Sequence, residues 1–226
     1  MAVVDETPPI HRRSLFALGL AAAAGLAVAQ SHALLVDAAG RGDLARVRAL
    51  LRAGADIELR DADGRTAILA ATDGNHLDVV RELIARGANV NAQDNRRDSA
   101  FLLAGARGYI EIVRATLSAK ADLKSTNRYG GTALIPACHY GHVDTVRLLL
   151  TTPIDVNHIN SLGWTALLEA VILGDGGAAH TEIVRLLVAR KADVMLADRE
   201  GVTPFAHARR RGQHAVGEIL ARAGAR

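Results

Sequence analysis

From Thr66 onward the chain alternates two kinds of apolar segment, separated by polar turns. The first kind is short and apolar on nearly every side, as in AILAATD after Thr66 and ALIPACH after Thr132. The second is longer and amphipathic: HLDVVRELIA, YIEIVRATLS, HVDTVRLLLT and TEIVRLLVA, with Val, Ile and Leu recurring at i, i+3 and i+4. That spacing places one apolar stripe on each second helix, to be buried against neighbours. Turns such as DADGRT supply a Gly for the bend and a Thr to cap the following helix. Each second helix stops at GAD, GAN or a variant, where Gly serves as the C-cap.

These segments recur at a fixed period. Thr66, Ser99, Thr132 and Thr165 stand 33 residues apart, and Thr203 follows after 38. Self-similarity of this kind predicts stacked helical hairpins, none able to bury its apolar face alone. The sequence DGRTAILAA…NHLDVVRELIARGANVNAQD resembles the ankyrin repeat, and the likeness runs from Ala33 to the C-terminus. It implies an all-α solenoid of helix-turn-helix units with short β-turn or hairpin connections. About six repeats are expected, over residues 33–60, 61–93, 94–126, 127–159, 160–197 and 198–226, the first a cap without the turn. The last unit keeps the family's Thr-Pro, at Thr203-Pro204, where the four central repeats have Ala at the Pro position. Further departures are Arg97 at a turn glycine, Lys120 and Lys191 at C-cap glycines and Pro153 at a third, which predict local irregularity. The segments DSAFLLAGARG, NRYGGTALIPA and LGWTALLEAVILGDGG together resemble exported bacterial ankyrin proteins.

The N-terminal segment has a different pattern. His11-Arg12-Arg13 precedes the apolar stretch Leu15–Ala29, followed by small-residue patterns ending at Ala29 and Ala33. Those 15 residues would span roughly 22 Å as a helix, short of the ~30 Å hydrocarbon core. The layout is that of an export signal over residues 1–29, of a form resembling the twin-arginine type, with cleavage after 33 as the alternative. A periplasmic chain, without membrane insertion after cleavage, is the expectation. Half the residues are hydrophobic but only 3% aromatic, which suits helices packed through small side chains. The formal charge of +3 comes from dispersed arginines, so no nucleic-acid footprint is expected. Cys138 is the single cysteine and can form no intramolecular disulfide.

Candidate chemistry centres on GDGGAAH, Gly174–His180, between the paired helices of the fifth repeat, where the five extra residues fall. A phosphate loop needs a preceding strand and a following Lys-Ser/Thr, and neither is here. Asp175 and His180, helped by Glu169 and His139, would be a sparse metal or hydrolytic centre. The simpler expectation is a surface spacer beside a binding face. Glu169 takes an inner-helix position that is Ala70, Leu103, Pro136 and His207 elsewhere. A buried carboxylate must find donors, so Glu169 is expected to anchor the loop amides from Gly174 to Ala178. Cys138 reads as a buried structural thiol. By resemblance, His76, His142 and His214 are structural residues at the starts of second helices.

The resemblance also implies a binding surface, made of the turn residues and the last residues of each inner helix. Polar positions, among them Arg65, Asp73, Arg96, Asp98 and Arg107 on one side and Arg199, Glu200, Arg210 and Arg211 on the other, flank an aromatic and aliphatic centre. That centre comprises Arg128, Tyr129, His139, Tyr140, Leu162, Trp164, Ile172 and Leu173, and aromatic anchors ringed by charge suit a protein partner. The expectation is a monomeric, non-enzymatic interaction module with no catalytic residues, metal or cofactor. A metal-binding or hydrolytic protein and a secreted effector or neutralising protein are the alternatives.

Overall fold

The computed structural model describes residues 34–226, so the expected export signal lies outside the described residues. Those residues form twelve helices and no strand. They pair as α1 (34–40) with α2 (Leu44–Arg52), α3 (Ala67–Asp73) with α4 (Leu77–Ala85), and α5 (Ala100–Arg107) with α6 (Ile110–Ser118). The remaining pairs are α7 (Leu134–His139) with α8 (Val143–Leu149), α9 (Ala166–Ile172) with α10 (Ala178–Ala189), and α11 (Pro204–Arg210) with α12 (His214–Arg222).

From α3 onward each odd-numbered helix packs on the next odd one, and each even-numbered helix on the next even one, giving two layers of a solenoid. Inner-layer helices are buried almost all round: in α3 every residue from Ala67 to Thr72 is inside. Outer helices bury a single stripe, as with Val79, Val80 and Leu83 in α4. Alanines do much of the inner packing, with Ala67, Ala71, Ala100, Ala104, Ala133 and Ala137 fully enclosed. Small side chains let helices approach closely, and among the described residues Phe101 is the one aromatic with a fully buried side chain.

Each turn is built on its first residue. Asp61 Oδ1 accepts the backbone N–H groups of Asp63 (3.0 Å) and Arg65 (2.8 Å), while the Asp61 N–H donates to the Arg65 carbonyl. Asp94, Asn127, Asn160 and Asp198 repeat this arrangement, because a short carboxylate or amide can hold two amides of a tight turn. Adjacent turns are joined by backbone bonds from Asn95 N–H to Asp63 O (3.1 Å) and from Ser161 N–H to Tyr129 O (2.9 Å).

Not every capping expectation holds. Ser99, Thr165 and Thr203 accept a helix N–H, but the hydroxyl oxygens of Thr66 and Thr132 are buried without a hydrogen-bond partner. The expected irregularity is also absent at three positions. Arg97, Lys120 and Lys191 enter the left-handed region, with φ of 61°, 63° and 62°, and so copy the backbone of the glycines they replace. At Pro153 the helix ends early instead, and the hydroxyls of Thr151 and Thr152 donate to the carbonyls of Leu148 and Leu149.

One recurring bond ties four of the five junctions between successive repeats, the exception being that of repeats two and three, where Tyr109 holds the position. A histidine ring at the start of an outer helix reaches the carbonyl ending the previous repeat's inner helix: His76 Nε2 to Gly40 O (3.0 Å) and His142 Nε2 to Ala106 O (3.2 Å). His180 Nε2 does the same to His139 O at 2.9 Å, and Gln213 Nε2 reaches Val171 O and Gly174 O. His180 is therefore the fifth repeat's counterpart of His76. In the last repeat Gln213 fills the role assigned from the sequence to His214.

Two glycine substitutions, one in inner helix α5 and one in outer helix α12, test how closely the helices approach. A Cβ on Gly105 would lie 2.9 Å from Ala133 Cβ and 3.1 Å from its carbonyl oxygen, whereas on Gly217 it would meet only Phe205, at 3.9 Å. Alanine gains about 1 kcal/mol of helix propensity at either site, but overpacking costs about 1–3 kcal/mol. Gly105→Ala should lower the urea midpoint and Gly217→Ala should raise it.

Candidate functional site

On the turn side of repeats three to five, centred on repeat four, lies a cleft of about 750 Å³. Three turns and three inner helices supply its walls, repeat three contributing Arg96 and Asp98 from its turn and Leu103, Ala106 and Arg107 from α5. Arg128 and Tyr129 come from the turn Asn127–Gly131, Leu162 from the turn Asn160–Trp164, His139 and Tyr140 from the end of α7, and Leu173 from the C-cap of α9. These are six of the eight residues expected to form the binding centre. Trp164 and Ile172 do not line this cleft and are half-buried. The backbone of Trp164 is pinned to Asn160 through both its N–H and its carbonyl, 3.0 Å each. Ile172 lies one residue before the C-cap position from which Leu173 lines the cleft.

The aromatic groups are held by polar neighbours. The Arg128 guanidinium lies 4.5 Å from the Tyr129 ring centroid and donates to its hydroxyl at 3.0 Å. His139 stacks on Tyr140 with centroids 4.2 Å apart and planes 12° from parallel. Tyr129 and Tyr140 nonetheless stay 52% and 60% exposed, so their outer surfaces are open to contact.

Beneath them sits Glu169, only 6% exposed. Its Oε1 accepts from Asn160 Nδ2 at 3.0 Å, and its Oε2 lies 3.6 Å from His139 Nδ1. The expectation that Glu169 anchors the loop amides is therefore corrected. The carboxyl meets the cleft floor, where Asn160 donates to it. The geometry forces this pairing: Asn160 Oδ1 is occupied by the turn amides of Leu162 and Trp164, leaving its NH₂ to face α9. The last repeat has the same pair nine residues apart with roles exchanged, His207 Nε2 donating to Asp198 Oδ2 at 2.6 Å.

The inserted loop has its own fastenings. Asp175 Oδ1 accepts from the Gly177 N–H (2.8 Å) and meets His180 Nδ1 (2.8 Å), and these bonds hold its carboxyl below the usual range. The Gly174 carbonyl accepts from Arg211 and Gln213 at 3.1 Å each, and Thr181 Oγ1 donates to Gly176 O. Three of the added positions become a turn at the start of α10, so His180 is the third residue of that helix where His76 and His142 precede theirs. Asp175 and His180 thus belong to the joint between repeats, and Glu169 and His139 to the cleft. No group of three or more His, Cys, Asp or Glu among the described residues is placed to hold a metal ion. Cys138 is fully buried, and burial pushes its thiol well above the ordinary value, so it carries no accessible thiolate.

Charge is graded along the surface. In repeats two and three Arg65 bridges Asp61 at 2.9 Å, Arg107 meets Asp73 at 3.1 Å, and Arg96 lies 3.7 Å from Asp98. Burial, with Asp94 nearby, holds the Asp98 carboxyl above its usual range. In the cleft, burial lowers the His139 pKa, and the neighbouring His180 adds to the effect. Burial raises the Glu169 pKa from 4.5 to about 7, against the pull of the Asn160 bond.

That shift has a measurable consequence. A carboxyl whose pKa is higher folded than unfolded stabilises the fold fully below its unfolded value and loses that contribution as pH rises through the folded one. Between pH 4.5 and about 7 the loss should be on the order of 2–3 kcal/mol. Glu169→Gln keeps an acceptor for Asn160 but cannot ionise. Urea denaturation at pH 5 and pH 8 should show a smaller pH dependence in this variant, which becomes the more stable protein at pH 8.

Among known sequences, the family model of ankyrin repeats (three copies) matches residues 34–127 and 101–198, well over half of the chain. An ankyrin repeat domain from Acinetobacter baumannii AYE superposes with a TM-score of 0.82 at 50% identity, covering 85% of this chain and 98% of that one. The ankyrin repeat protein EF0377 gives a TM-score of 0.80 at 38% identity, covering 83% and 96%. The putative ankyrin repeat protein YahD of Escherichia coli (strain K12) is 42% identical over 57 residues, a match that spans 25% of this chain and 28% of that protein. With paired helices stacked in two layers, Asx-built turns and histidine ties between units, the chain belongs to the ankyrin repeat family.

Proposed function

We propose that the chain is a non-enzymatic protein-interaction module that grips its partner through the cleft of repeats four and five, and that it acts after export, in the periplasm. Ankyrin repeats generally mediate protein–protein interactions, so the class follows from the family. The placement rests on one observation. Of the seven large hydrophobic side chains exposed among the described residues, four line this single cleft: Tyr129, Tyr140, Leu162 and Leu173. Large apolar side chains left in water together, with arginines at the margin, are what protein recognition uses. The export reading rests on the sequence of residues 1–29 and on nothing structural. A single chain suffices to form the cleft, in keeping with a monomeric module.

Tyr129→Ala combined with Tyr140→Ala tests the placement. Both side chains are more than half exposed, so stability should change by about 0.5 kcal/mol or less. Capture of the partner by tagged full-length chain should fall at least tenfold, with the circular dichroism spectrum unchanged and a distant control, Met195→Ala, without effect. Capture of the same partner at undiminished yield would put the site elsewhere. For export, N-terminal sequencing of protein from the periplasmic fraction should begin at residue 30 or 34, and retention of residues 1–29 in a cytoplasmic pool would reject it.

A further inference from the structure

The floor of the cleft is built more elaborately than a purely apolar docking surface requires. Three of the inner helices place Ala70, Leu103 and Pro136 where α9 has Glu169. In the last repeat the equivalent His207 is satisfied by Asp198 at 2.6 Å. Glu169 is satisfied on one side only. Its Oε1 takes the Asn160 NH₂, whereas Oε2, at the cleft floor, receives no hydrogen bond, since His139 Nδ1 at 3.6 Å is too far. The carboxyl is thus anchored through one oxygen and leaves the other as an acceptor open to the cleft.

We propose that this floor receives a basic side chain, lysine or arginine, from the protein partner, with its charged head on Glu169 Oε2 and its aliphatic stem against Leu162 and Leu173. The inference rests on the cleft being the partner site. Long basic side chains are suited to such a place because their methylene stems cover apolar surface while the head meets a carboxylate. Asn160, held by two turn amides, fixes the carboxyl in position before any partner arrives. Tyr140, stacked on His139 at the same end, offers a π-face to a cation. The cations already present do not occupy the floor. Arg107 is paired with Asp73 and Arg96 with Asp98, while Arg128 lies over Tyr129, with no carboxylate within 4.0 Å among the described residues. Arg128 repels a second cation from its own wall and so confines the partner's charge to the Glu169 end.

Binding on these terms is linked to protons. With the cleft empty, burial keeps the Glu169 carboxyl protonated up to about pH 7. An arriving cation favours the ionised form and expels that proton. Of the ionisable groups on the helices packed against α9, His139 and Cys138 of α7 adjoin the carboxyl. On α10 His180 is engaged by Asp175, and on α11 His207 is engaged by Asp198.

The test uses the full-length chain and defined probes: Nα-acetyl-lysine methylamide, its uncharged counterpart Nα-acetyl-norleucine methylamide, and Nα-acetyl-aspartate methylamide. Carbon-13 NMR follows the Glu169 carboxyl during titration. The lysine probe should lower the midpoint of Glu169 by at least one pH unit. It should also bind about tenfold more tightly at pH 8 than at pH 6, in proportion to the ionised fraction. The norleucine probe should bind at least tenfold more weakly than the lysine probe at pH 8, without pH dependence. Glu169→Gln should abolish the difference between the two. Equal binding of lysine and norleucine probes, preference for the aspartate probe, or no response of the Glu169 signal to the lysine probe would each overturn the proposal. Failure of the docking reading shows separately, as undiminished partner capture by Tyr129→Ala with Tyr140→Ala.

Discussion

No hairpin in this chain can enclose its own apolar surface, and that constraint governs everything else. A pair of helices seven to nine residues long, as most of these are, has too little interior to hold itself together. Burial comes from the neighbouring pair, so inner helices must approach closely, and they do so through Ala67, Ala100, Ala133 and Gly105. A carbonyl left at the end of an inner helix would cost stability if unpaired, and the ring of His76, His142 or His180 from the next repeat supplies the donor. Cohesion is thereby consumed between repeats, leaving the turn tips and helix ends of one face free to vary.

That freedom is used unevenly. In repeats two and three the free positions carry arginines and aspartates that pair with one another, as Arg107 does with Asp73. In repeats four and five they carry Tyr129, Tyr140, Leu162 and Leu173, which stay exposed even though Arg128 bonds the Tyr129 hydroxyl and His139 stacks on Tyr140. The same scaffold therefore presents a self-satisfied polar surface next to an unsatisfied apolar one. Asn160 links the two uses. Its carbonyl oxygen builds the turn, and its amide nitrogen, left over from that task, places Glu169 under the cleft.

The five-residue insertion follows the same economy. It lengthens the junction between α9 and α10 without displacing the tie to repeat four, because the helix gains a turn at its start and His180 keeps the register of His142. Asp175 fastens the extension by accepting the Gly177 N–H and meeting His180. Two residues that suggest a metal site when viewed alone are explained by the need to pass extra chain across an unbroken stack.

The repeat architecture was legible in the sequence because its causes are local and periodic: helix stripes, turn carboxylates, terminal glycines and a 33-residue spacing. Six of the eight expected binding residues line one cleft for the same reason, since equal positions in equal repeats point the same way. The histidine register was legible only in part: His76 and His142 were placed at helix starts, but the insertion hid His180, and His214 was given the role that Gln213 holds. Other features depended on tertiary structure. Whether Trp164 joined the cleft, whether Thr66 capped its helix, and where Glu169 directed its carboxyl are questions of side-chain direction between residues of neighbouring elements. Sequence by itself determined which backbone this chain builds, through periodic burial and turn chemistry. Only the folded stack decided which oxygen of which carboxyl stayed unpaired, because hydrogen bonds between elements are settled by geometry at tenths of an ångström.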